Sequence, residues 1–555
     1  MSGNAGQVEE SMVTIVRRTL RTSRRAGFWR DLVVAKWLGF PRVLPVMMRE
    51  GLSLRTVHHL NACLHPARMA VVDERRQLAF REANDEINRL ANAMHHRFGV
   101  GRKTPVALSM QNCAEYMLLW MAVSRLGAST VHASWRQTAE ELAFQIEHSG
   151  AKLLFADNSV SDAVAGLGDK GDFEGLEVVG IDDGVGELTY SELIEDASSD
   201  FPDLEPGEAE SENIVYTSGT TGRPKGAVRD MAGFGLVDLF RILEQLPVRT
   251  GERHLIVCPL YHSGAQVFAA LQTGLGATLY TRPKFDPLQT LQSLHEEAIN
   301  SIFLVPTMLR QILDLPAEEL EKYSTPALRG IFCGAAPFPH SLRLRAIEQF
   351  GASVIHDFYG ATEIGWITLI NGEEMLERPG SVGRPIAGQQ IRIVGEEGQV
   401  LGPNETGTIY VRNEHIMAGY LNNEAATEEL MADGWMTVED LGYLDEDGYL
   451  YLSGRSRDMV ISGGVNIYPA EIEAVLDGHP AVQEMAIVGI ADEEFGESLI
   501  AVVIKDGDVD VEELEAYARE HLSSYKVPRT WHFVDELPRN PTGKVLKRQL
   551  RERFS

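Results

Sequence analysis

The chain has 555 residues, of which 44% are hydrophobic and 24% charged, as in an ordinary globular protein. This length exceeds what one compact core accommodates, so we expect at least two domains. Fifty-one basic residues against eighty acidic ones give a formal net charge of −29, which argues against a nucleic-acid-binding protein. Four widely separated cysteines form neither a zinc motif nor a disulfide framework, which fits a reducing cytoplasm.

Residues 1–50 are predicted to be an N-terminal extension. Within residues 13–49, nine basic side chains alternate with aromatic and aliphatic ones, a pattern typical of a helix lying on a membrane surface. A helix packed on the rest of the protein explains the pattern equally well. No apolar run reaches about 18 residues, and no cleavage site follows an apolar core, so neither a membrane span nor secretion is predicted. We expect a cytoplasmic protein and leave peripheral membrane contact open.

From about residue 52 the pattern alternates between strands and helices, which predicts parallel sheets covered by helices. Residues 381–456 contain short strands and Gly/Asp/Asn turns, which indicate an antiparallel β subdomain. Two helices and two apolar strands in the last hundred residues predict a small α+β domain. The predicted strands are 106–110, 129–132, 153–156, 255–258, 301–305, 328–332, 354–356, 391–394, 407–411, 448–453, 484–490 and 499–504. The predicted helices are 115–125, 140–148, 469–476 and 511–522.

The most distinctive stretch is residues 214–226, where an apolar strand enters a loop rich in hydroxyls and glycines that ends in a lysine. Glycines let backbone N–H groups approach a ligand, hydroxyls donate to phosphate oxygens, and the lysine adds a positive charge. The glycine spacing does not fit the Walker pattern, but the composition predicts a polyphosphate site. Its candidate residues are Thr217, Ser218, Gly219, Thr220, Thr221, Gly222 and Lys225.

Other predicted strands also end in loops of small and polar residues. Ligands collect at the carboxyl ends of parallel strands, so we expect these loops to meet the phosphate loop at one site. A GxGxxG match at residues 166–171 lies in a turn-rich segment without a clear helix after it and is rejected as a dinucleotide site. The candidate residues in the strand-end loops are His262, Gly334, Ala335, Ala336, Asp357, Phe358, Tyr359, Gly360, Thr362 and Glu363.

Further motifs follow in the segments 438–442, 454–458, 462–473 and 538–545. Together with the phosphate loop and residues 359–363, they resemble the adenylate-forming superfamily of acyl-CoA synthetases, luciferases and peptide-synthetase adenylation domains. The resemblance covers about residues 52–550, in the order of the family's motifs. It implies an α/β fold with a large N-terminal domain, residues 51–456, and a small mobile α+β C-terminal domain, residues 457–555. The large domain should contain two α/β subdomains with parallel-type sheets and a β-barrel-like subdomain.

The resemblance also implies ATP, Mg²⁺ and coenzyme A as ligands. By this resemblance, residues 217–225 hold the β- and γ-phosphates, Tyr359 stacks on adenine and Asp357 lies near its amino group. Thr362 would contact the α-phosphate, and Glu363 would hold magnesium, which prefers oxygen ligands. The remaining residues of the nucleotide site would include Gly334, Ala335, Ala336, Phe358 and Gly360.

The later motifs imply a ribose site and a moving domain. Asp440 and Arg455 would bind the ribose, Arg457 would be the hinge, and Gly463 and Gly464 would line the pantetheine tunnel. Lys544 would be the catalytic lysine. The residue before the ribose aspartate is commonly glycine in the family, and Glu439 departs from that pattern.

The expected reaction joins a carboxylic acid to AMP and then to CoA. The acyl pocket should be walled by residues 234–240, 260–265, 330, 334–336 and 364–367, with His262 against it. Small, apolar residues there favour a medium- or long-chain fatty acid, with an aryl or terpenoid acid next. A carrier-protein acceptor, a luciferase-like oxygenase and a catalytically inactive lipid- or nucleotide-binding protein in fatty-acid uptake remain alternatives. A homodimer is also left open.

Overall fold

The computed structural model describes residues 53–171, 173, 175–203, 211–217, 224–230, 242–413, 416–462, 465–492, 495–539 and 544–555. The predicted N-terminal extension therefore lies outside the described residues. None of the helices within these ranges is both long and apolar enough to cross a membrane.

The described strands form three sheets. In chain order they are β1 (Met69–Val72), β2 (Gln77–Ala79), β3 (Pro105–Ser109), β4 (Ser129–Ala133), β5 (Leu153–Ala156), β6 (Glu177–Gly180), β7 (Leu188–Thr189), β8 (Glu212–Thr217), β9 (Lys225–Asp230), β10 (Arg253–Ile256), β11 (Thr278–Thr281), β12 (Ser301–Leu304), β13 (Gly330–Cys333), β14 (Ile355–Ala361), β15 (Gly365–Asn371), β16 (Ser381–Pro385), β17 (Gln390–Val394), β18 (Gly407–Arg412), β19 (Gly419–Tyr420), β20 (Met431–Ala432), β21 (Trp435–Leu444), β22 (Leu450–Arg455), β23 (Val460–Ser462), β24 (Val465–Ile467), β25 (Val482–Asp492), β26 (Gly496–Lys505) and β27 (Thr530–Phe533).

Most described helices of the first 350 residues lie between successive strands. The α-helices are α1 (Leu54–Leu64), α2 (Phe80–Phe98), α3 (Ala114–Arg125), α4 (Ala139–Ser149), α5 (Ser161–Ala165), α6 (Tyr190–Ile194), α7 (Ser263–Gly274), α8 (Pro287–Glu296), α9 (Pro306–Leu313), α10 (Ala317–Lys322), α11 (His340–Phe350), α12 (Gly372–Glu377), α13 (Glu424–Glu428), α14 (Pro469–Leu476), α15 (Val511–His521) and α16 (Lys547–Phe554). The short 3₁₀ helices are Asn158–Val160, Gly166–Asp169, Ser456–Asp458 and Ser524–Lys526.

The first sheet has the strand order β19-β9-β8-β4-β3-β5-β6-β7. Its strands from β8 to β7 pair in parallel, whereas β9 runs antiparallel to both β8 and β19. Helix α3 is buried along its whole length and shares the largest apolar core with α2 and α7. A helix that is buried and predominantly apolar on every face is expected where layers cover it on every side. The phosphate loop thus connects a buried parallel strand to an antiparallel one.

The second sheet follows the order β17-β18-β21-β22-β16-β15-β14-β13-β12-β10-β11-β1-β2, with β20 paired to β21. Its pairs from β14 to β1 are parallel, whereas β14 to β18 pair antiparallel. The predicted antiparallel β subdomain is therefore hydrogen-bonded to the parallel α/β subdomain without a break. The comparison of this arrangement with solved structures, given below, confirms the predicted fold class.

Strand β14 differs from the prediction. Polar residues after position 356 indicated a loop, but the strand continues to Ala361 and pairs antiparallel with β15 from His356 to Ala361. A β-carbon on Gly360 would lie 2.2 Å from the carbonyl oxygen of Gly365, so this tight pairing requires glycine. The motif residues Asp357 to Gly360 therefore lie on a paired strand, and Thr362 and Glu363 follow directly after it.

The last sheet has the order β24-β23-β26-β25, with β27 parallel to β26, and α14, α15 and α16 pack on it. Helix α14 spans the predicted residues 469–476, because Pro469 at its start fixes a helical φ angle. Between this sheet and the second one, Arg457 lies in a 3₁₀ helix that directly follows β22. The domain boundary and a hinge at Arg457 stay predictions.

Candidate active site

The two ends of the phosphate loop are held opposite each other by the β8–β9 pair. Thr217 is the register partner of Lys225 at the open end of this antiparallel ladder. The hydroxyl of Thr217 also lies 3.5 Å from the carbonyl oxygen of Lys225. The predicted phosphate ligands Ser218, Gly219, Thr220, Thr221 and Gly222 lie outside the described residues. The geometry therefore places the loop's first hydroxyl and its lysine side by side.

Glu363, the predicted magnesium ligand, lies directly against these loop ends. Its Oε1 accepts hydrogen bonds from the Thr217 hydroxyl at 3.3 Å and from the Tyr420 hydroxyl at 2.9 Å. The ammonium of Lys225 lies 5.0 Å from the centre of the Tyr420 ring, in a cation–π contact. Tyr420 thus connects the loop lysine to the predicted metal ligand.

The oxygen atoms around Glu363 fit a magnesium ion. Thr362 contributes a hydroxyl that lies 3.0 Å from the Ser263 hydroxyl, next to the Glu363 carboxylate in sequence. One carboxylate with hydroxyls and substrate phosphates is a donor set that Mg²⁺ accepts, since the ion keeps several waters. Among the described residues, no group of three His, Cys, Asp or Glu side chains forms a metal cluster. Glu363 is therefore the single candidate ligand from this motif.

Arg229 stabilises the backbone next to Glu363. Its guanidinium donates to the carbonyl oxygen of Thr362 at 3.1 Å. Burial lowers the pKa of Arg229, and the nearby negative charge of Glu363 opposes this shift. An arginine beside the predicted metal ligand thus holds the Thr362–Glu363 backbone just after β14.

Asp357 is buried and paired with an arginine. Its Oδ2 accepts from Arg343 Nη2 at 2.6 Å, and Arg343 also donates to the carbonyl oxygen of Ser381 at 2.8 Å. Burial raises the pKa of Asp357 to about 6, although the Arg343 charge opposes this shift. Arg343 therefore connects Asp357 to β16; the adenine contact expected for Asp357 stays a prediction.

Tyr359 joins the predicted adenine site to the predicted ribose site. Its hydroxyl donates to Asp440 Oδ2 at 2.7 Å, and Arg455 Nε lies 3.1 Å from the other carboxylate oxygen. Asp440 and Arg455 are register partners on β21 and β22. The pairing of these two strands therefore fixes the arginine beside the aspartate.

Two non-glycine residues next to this site have left-handed backbones. Glu439, directly before Asp440, has φ 62°, and Ala335, in the loop after β13, has φ 65°. Residues other than glycine are strained at these positive φ angles. The φ of Glu439 explains why glycine suits this position in the family motif that Glu439 departs from.

Gly334 lies against an aromatic ring. A β-carbon there would come within 2.6 Å of the Phe358 ring, so this position tolerates only glycine without a shift of the ring. Phe358 is thus turned towards the loop after β13, which includes Ala335 and Ala336, and the three loop residues remain candidates for the nucleotide site.

Lys544 lies near the predicted ribose residues. Burial lowers the pKa of Lys544 to about 8; the charges of Arg455 and Arg457 act in the same direction, and Asp440 opposes them. Val545, which follows Lys544, forms an antiparallel bridge with Arg539, and the backbone N of Leu546 donates to the Pro538 carbonyl oxygen at 2.7 Å. The charges of the predicted ribose residues therefore act on Lys544, the predicted catalytic lysine.

His262 lies at the N-terminus of α7, beside Tyr261, with 4.1 Å between the ring centres. Burial lowers the pKa of His262 to about 3, and the charge of Arg136 contributes. Its Nε2 is buried without a hydrogen-bond partner in the part of the chain that the structure describes. A neutral imidazole of such low basicity is poorly suited to act as a general base near pH 7.

Sequence reasoning missed three residues of this site, Tyr420, Arg229 and Arg343, and expected Ser263 only as part of the acyl-pocket wall. Tyr420 is 57 residues from Glu363 in the chain, and Ser263 is 99 residues from Thr362. No spacing rule connects such distant side chains. One indication of a role for Arg229 was present in the sequence, because this basic residue follows apolar residues in the strand that begins at Lys225. Gly463 and Gly464 lie outside the described residues.

Family comparisons agree with this geometry. The AMP-binding enzyme model matches residues 60–421, and the model of the AMP-binding enzyme C-terminal domain matches residues 471–544. The first match covers more than half of the chain. The chain therefore belongs to the AMP-binding enzyme family, and the resemblance to adenylate-forming enzymes is confirmed.

Relatives with different substrates resemble the chain to a similar degree. It is 31% identical over 480 residues to a long-chain-fatty-acid–CoA ligase, FadD13, of Mycobacterium tuberculosis, covering 86% of this chain and 93% of the relative. It is 34% identical over 514 residues to a feruloyl-CoA synthase of an Amycolatopsis species, covering 92% and 100%. Its fold matches the o-succinylbenzoate-CoA synthetase of Bacillus subtilis solved with ATP and magnesium, with a TM-score of 0.76, 30% identity and coverage of 89% and 99%.

These findings define an adenylate-forming acyl-CoA ligase that uses ATP, Mg²⁺ and CoA. The names of the three relatives refer to a long-chain fatty acid, a feruloyl group and o-succinylbenzoate, so membership of the family leaves the acid open.

Proposed function

We propose that the protein activates an apolar carboxylic acid as its acyl-adenylate and then transfers the acyl group to CoA. The observation that carries this proposal is the contact of Glu363 with the Thr217 hydroxyl and, through Tyr420, with Lys225. The charges of Asp440 and Arg455, which act on Lys544, support it. A carboxylate oxygen attacks the α-phosphorus of ATP and pyrophosphate leaves. The CoA sulfur then attacks the acyl carbon, and AMP leaves.

In the first step, the protein's main contribution is charge and position. Repulsion between the carboxylate and the phosphates forms most of the barrier, so fixed cations around the phosphates lower it. Lys544 would neutralise charge on the carboxylate and the α-phosphate, and Lys225 would hold the terminal phosphates. Glu363 would hold the magnesium ion, which supplies further positive charge to the phosphate oxygens. Asp440 would bind the ribose hydroxyls.

In the second step, Lys544 would stand where the thiol must approach. A small domain that turns away on a hinge near Arg457 would remove it and bring the loop that contains Gly463 and Gly464 to the site. This division of labour supports an enzyme with two half-reactions, and it argues against an inactive binding protein, which has no use for a lysine held at the nucleotide site.

Aromatic rings suggest the kind of acid. The small residues at the acyl pocket were expected to leave room for a chain, but β-carbons on Gly264 and Gly330 would lie 2.9 and 2.7 Å from the rings of Phe303 and Phe332. The glycines therefore accommodate rings of the protein itself.

These rings belong to a larger cluster. Phe268 stacks on Phe332 with 4.7 Å between ring centres, and Phe358 lies 5.2 Å from Trp366. Phe268, Phe303 and Phe332 are packed in the core, so they fill the space beside the pocket and leave less room for a flexible chain than for a flat ring. We therefore place an aryl acid before a medium- or long-chain fatty acid, which reverses the order that the sequence favoured. The predicted wall at residues 234–240 lies outside the described residues.

One assay tests the proposal. The protein is incubated with ATP, Mg²⁺, CoA and single acids from a panel of benzoates, cinnamates and saturated fatty acids of rising length. The proposal expects pyrophosphate and an acyl-CoA of the predicted mass, with the aryl acids turned over faster. Preference for palmitate over every aryl acid would overturn the proposed substrate class. Pyrophosphate with a carrier protein but no product with CoA would identify another acceptor.

The composition supports a cytoplasmic location for this activity, with residues 13–49 as the candidate segment for contact with a membrane surface. No pyrophosphate from any acid would instead favour a binding role in lipid uptake.

A further inference from the structure

A salt bridge connects the large domain to the small one away from the nucleotide site. Arg310, on α9 of the large domain, donates through Nη1 to the carbonyl oxygen of Gln483 at 2.7 Å and lies 3.5 Å from Glu484 Oε2. Both Gln483 and Glu484 lie on β25 of the small domain. The Arg310 and Glu484 side chains are only 13% and 20% exposed, so the contact is largely shielded from solvent.

The same carboxylate oxygen holds a second arginine. Arg539 donates through Nη2 to Glu484 Oε2. Arg539 also forms an antiparallel bridge with Val545, the residue that follows Lys544. Glu484 is therefore in contact with Arg310 of the large domain on one side and with Arg539, the bridge partner of Val545 beside Lys544, on the other.

A neighbouring contact joins the same two domains. Asp477, which follows α14, accepts at Oδ2 from the backbone N of Ser341 at 3.2 Å and from the Ser341 hydroxyl at 2.8 Å. Ser341 lies in the first turn of α11, where a negative charge is favourable. Two helices of the large domain therefore dock on the small domain while Lys544 is at the nucleotide site.

We propose that Glu484 is a positioning residue for the first half-reaction, and that Arg310 is its docking partner. This inference rests on the proposed two-step function. When the small domain turns for the second step, the Arg310–Glu484 contact breaks because its partners lie on different domains. The Arg539–Glu484 contact moves with the small domain. Arg310 therefore stabilises one arrangement only, the one in which Lys544 reaches the site.

The charges around Glu484 are consistent with an Arg310–Glu484 contact that forms in only one arrangement of the two domains. Glu484 faces two guanidinium groups, and loss of Arg310 still leaves it paired with Arg539. The small domain thus keeps a satisfied carboxylate in both arrangements, and the domain contact stays weak enough to open. A shielded ion pair with a charged hydrogen bond of this kind changes a conformational equilibrium by about three- to tenfold.

The test separates the half-reactions in R310Q. We expect adenylate formation, measured as pyrophosphate release in a single turnover with an accepted acid, to fall about three- to tenfold. Thioester formation from supplied acyl-AMP and CoA should be unchanged or faster. R282Q is the matched control, because Arg282 pairs with Glu297 within the large domain and the two side chains are similarly shielded, at 14% and 26% exposed, and it should leave both rates unchanged. Equal loss in both half-reactions of R310Q would overturn the proposal.

Two further measurements distinguish a positioning role of Arg310 from a purely structural one. R310K should recover most of the adenylation rate, since the ammonium retains the charge at the same place. Hydrogen exchange at residues 455–462 with a non-hydrolysable ATP analogue should be slower in the wild type than in R310Q, and identical exchange would contradict docking. This second readout needs no turnover. Failure of the wild type to activate any acid would therefore refute the proposed function while the exchange data still decide the role of Arg310.

Discussion

The hydroxyl of Tyr359 donates to Asp440 Oδ2 at 2.7 Å, between residues 81 positions apart in the chain. Tyr359 lies on β14, the strand at which the second sheet changes from parallel to antiparallel pairing. Asp440 lies on β21, in the antiparallel part of the sheet. The bond therefore joins the residue proposed to stack on adenine to the one proposed to bind the ribose. The other carboxylate oxygen of Asp440 is paired with Arg455, so the carboxylate is oriented before the nucleotide binds.

Tyr359→Phe tests this orientation. The ring that would stack on adenine remains, but the buried carboxylate loses one charged hydrogen bond, which is worth about 1.5–3 kcal/mol. We expect the KM for ATP in adenylate formation to rise about tenfold or more, with little change in KM for the acid. Tyr443→Phe, on the same strand as Asp440 but stacked on Tyr451, is the control. An unchanged KM for ATP in Tyr359→Phe would contradict the orienting role.

Tyr420 gives a second test, because its ring and its hydroxyl contact different charges. Tyr420→Phe keeps the ring under Lys225 and removes the donor to Glu363. Groups that orient a metal ligand typically contribute about 10- to 100-fold to metal affinity or activity, so the magnesium concentration for half-maximal adenylation should rise about tenfold. Tyr420→Leu should in addition raise the KM for ATP, because Lys225 loses its ring contact. A normal magnesium requirement in Tyr420→Phe would refute the link.

The pKa of Lys544 predicts a pH dependence. Burial and neighbouring arginines favour the neutral amine, so the lysine is charged below about pH 8 and loses its charge above it. Because the charged form neutralises the phosphates, kcat/KM for ATP in adenylate formation should fall as the pH rises through about 8. In Lys544→Arg the charge persists, so the residual rate should lose this decline. A profile that is flat to pH 9.5 in the wild type would contradict the assignment.

Backbone strain at Glu439 predicts a stability difference. At φ 62°, glycine is relaxed but any side chain is strained. The free energy of unfolding, measured by urea denaturation, should therefore be about 1 kcal/mol higher for the Glu439→Gly variant than for the Glu439→Ala variant. The alanine variant is the control for loss of the carboxylate. Equal midpoints for the two variants would show that the conformation stores no such strain.

Regular elements were predictable where their pattern was local. Helix α14 was located by a proline at its first position, and the strands of the parallel sheets by short runs of apolar residues. The extension of β14 through polar residues was not predictable, because those residues are held by hydrogen bonds to β15, a partner that local composition does not reveal.

Site residues divide in the same way. Motifs with fixed spacing, such as residues 359–363, located Glu363 beside Thr217. The donors that hold these motif residues in place, Tyr420 to Glu363 and Arg343 to Asp357, come from other parts of the fold, so only the assembled sheet reveals them. The pocket glycines were misjudged for a related reason, because the rings that fill the space beside them lie on other strands and helices.

The central claim is that Lys544 serves only the first half-reaction, and one measurement tests it most directly. In Lys544→Ala, acyl-AMP formation from ATP and an accepted acid is compared with thioester formation from supplied acyl-AMP and CoA. We predict a loss of about 100-fold or more in the first rate, since a positioned charge at a phosphoryl transition state contributes that much, and a second rate close to that of the wild type. An equal loss of both rates would contradict the account.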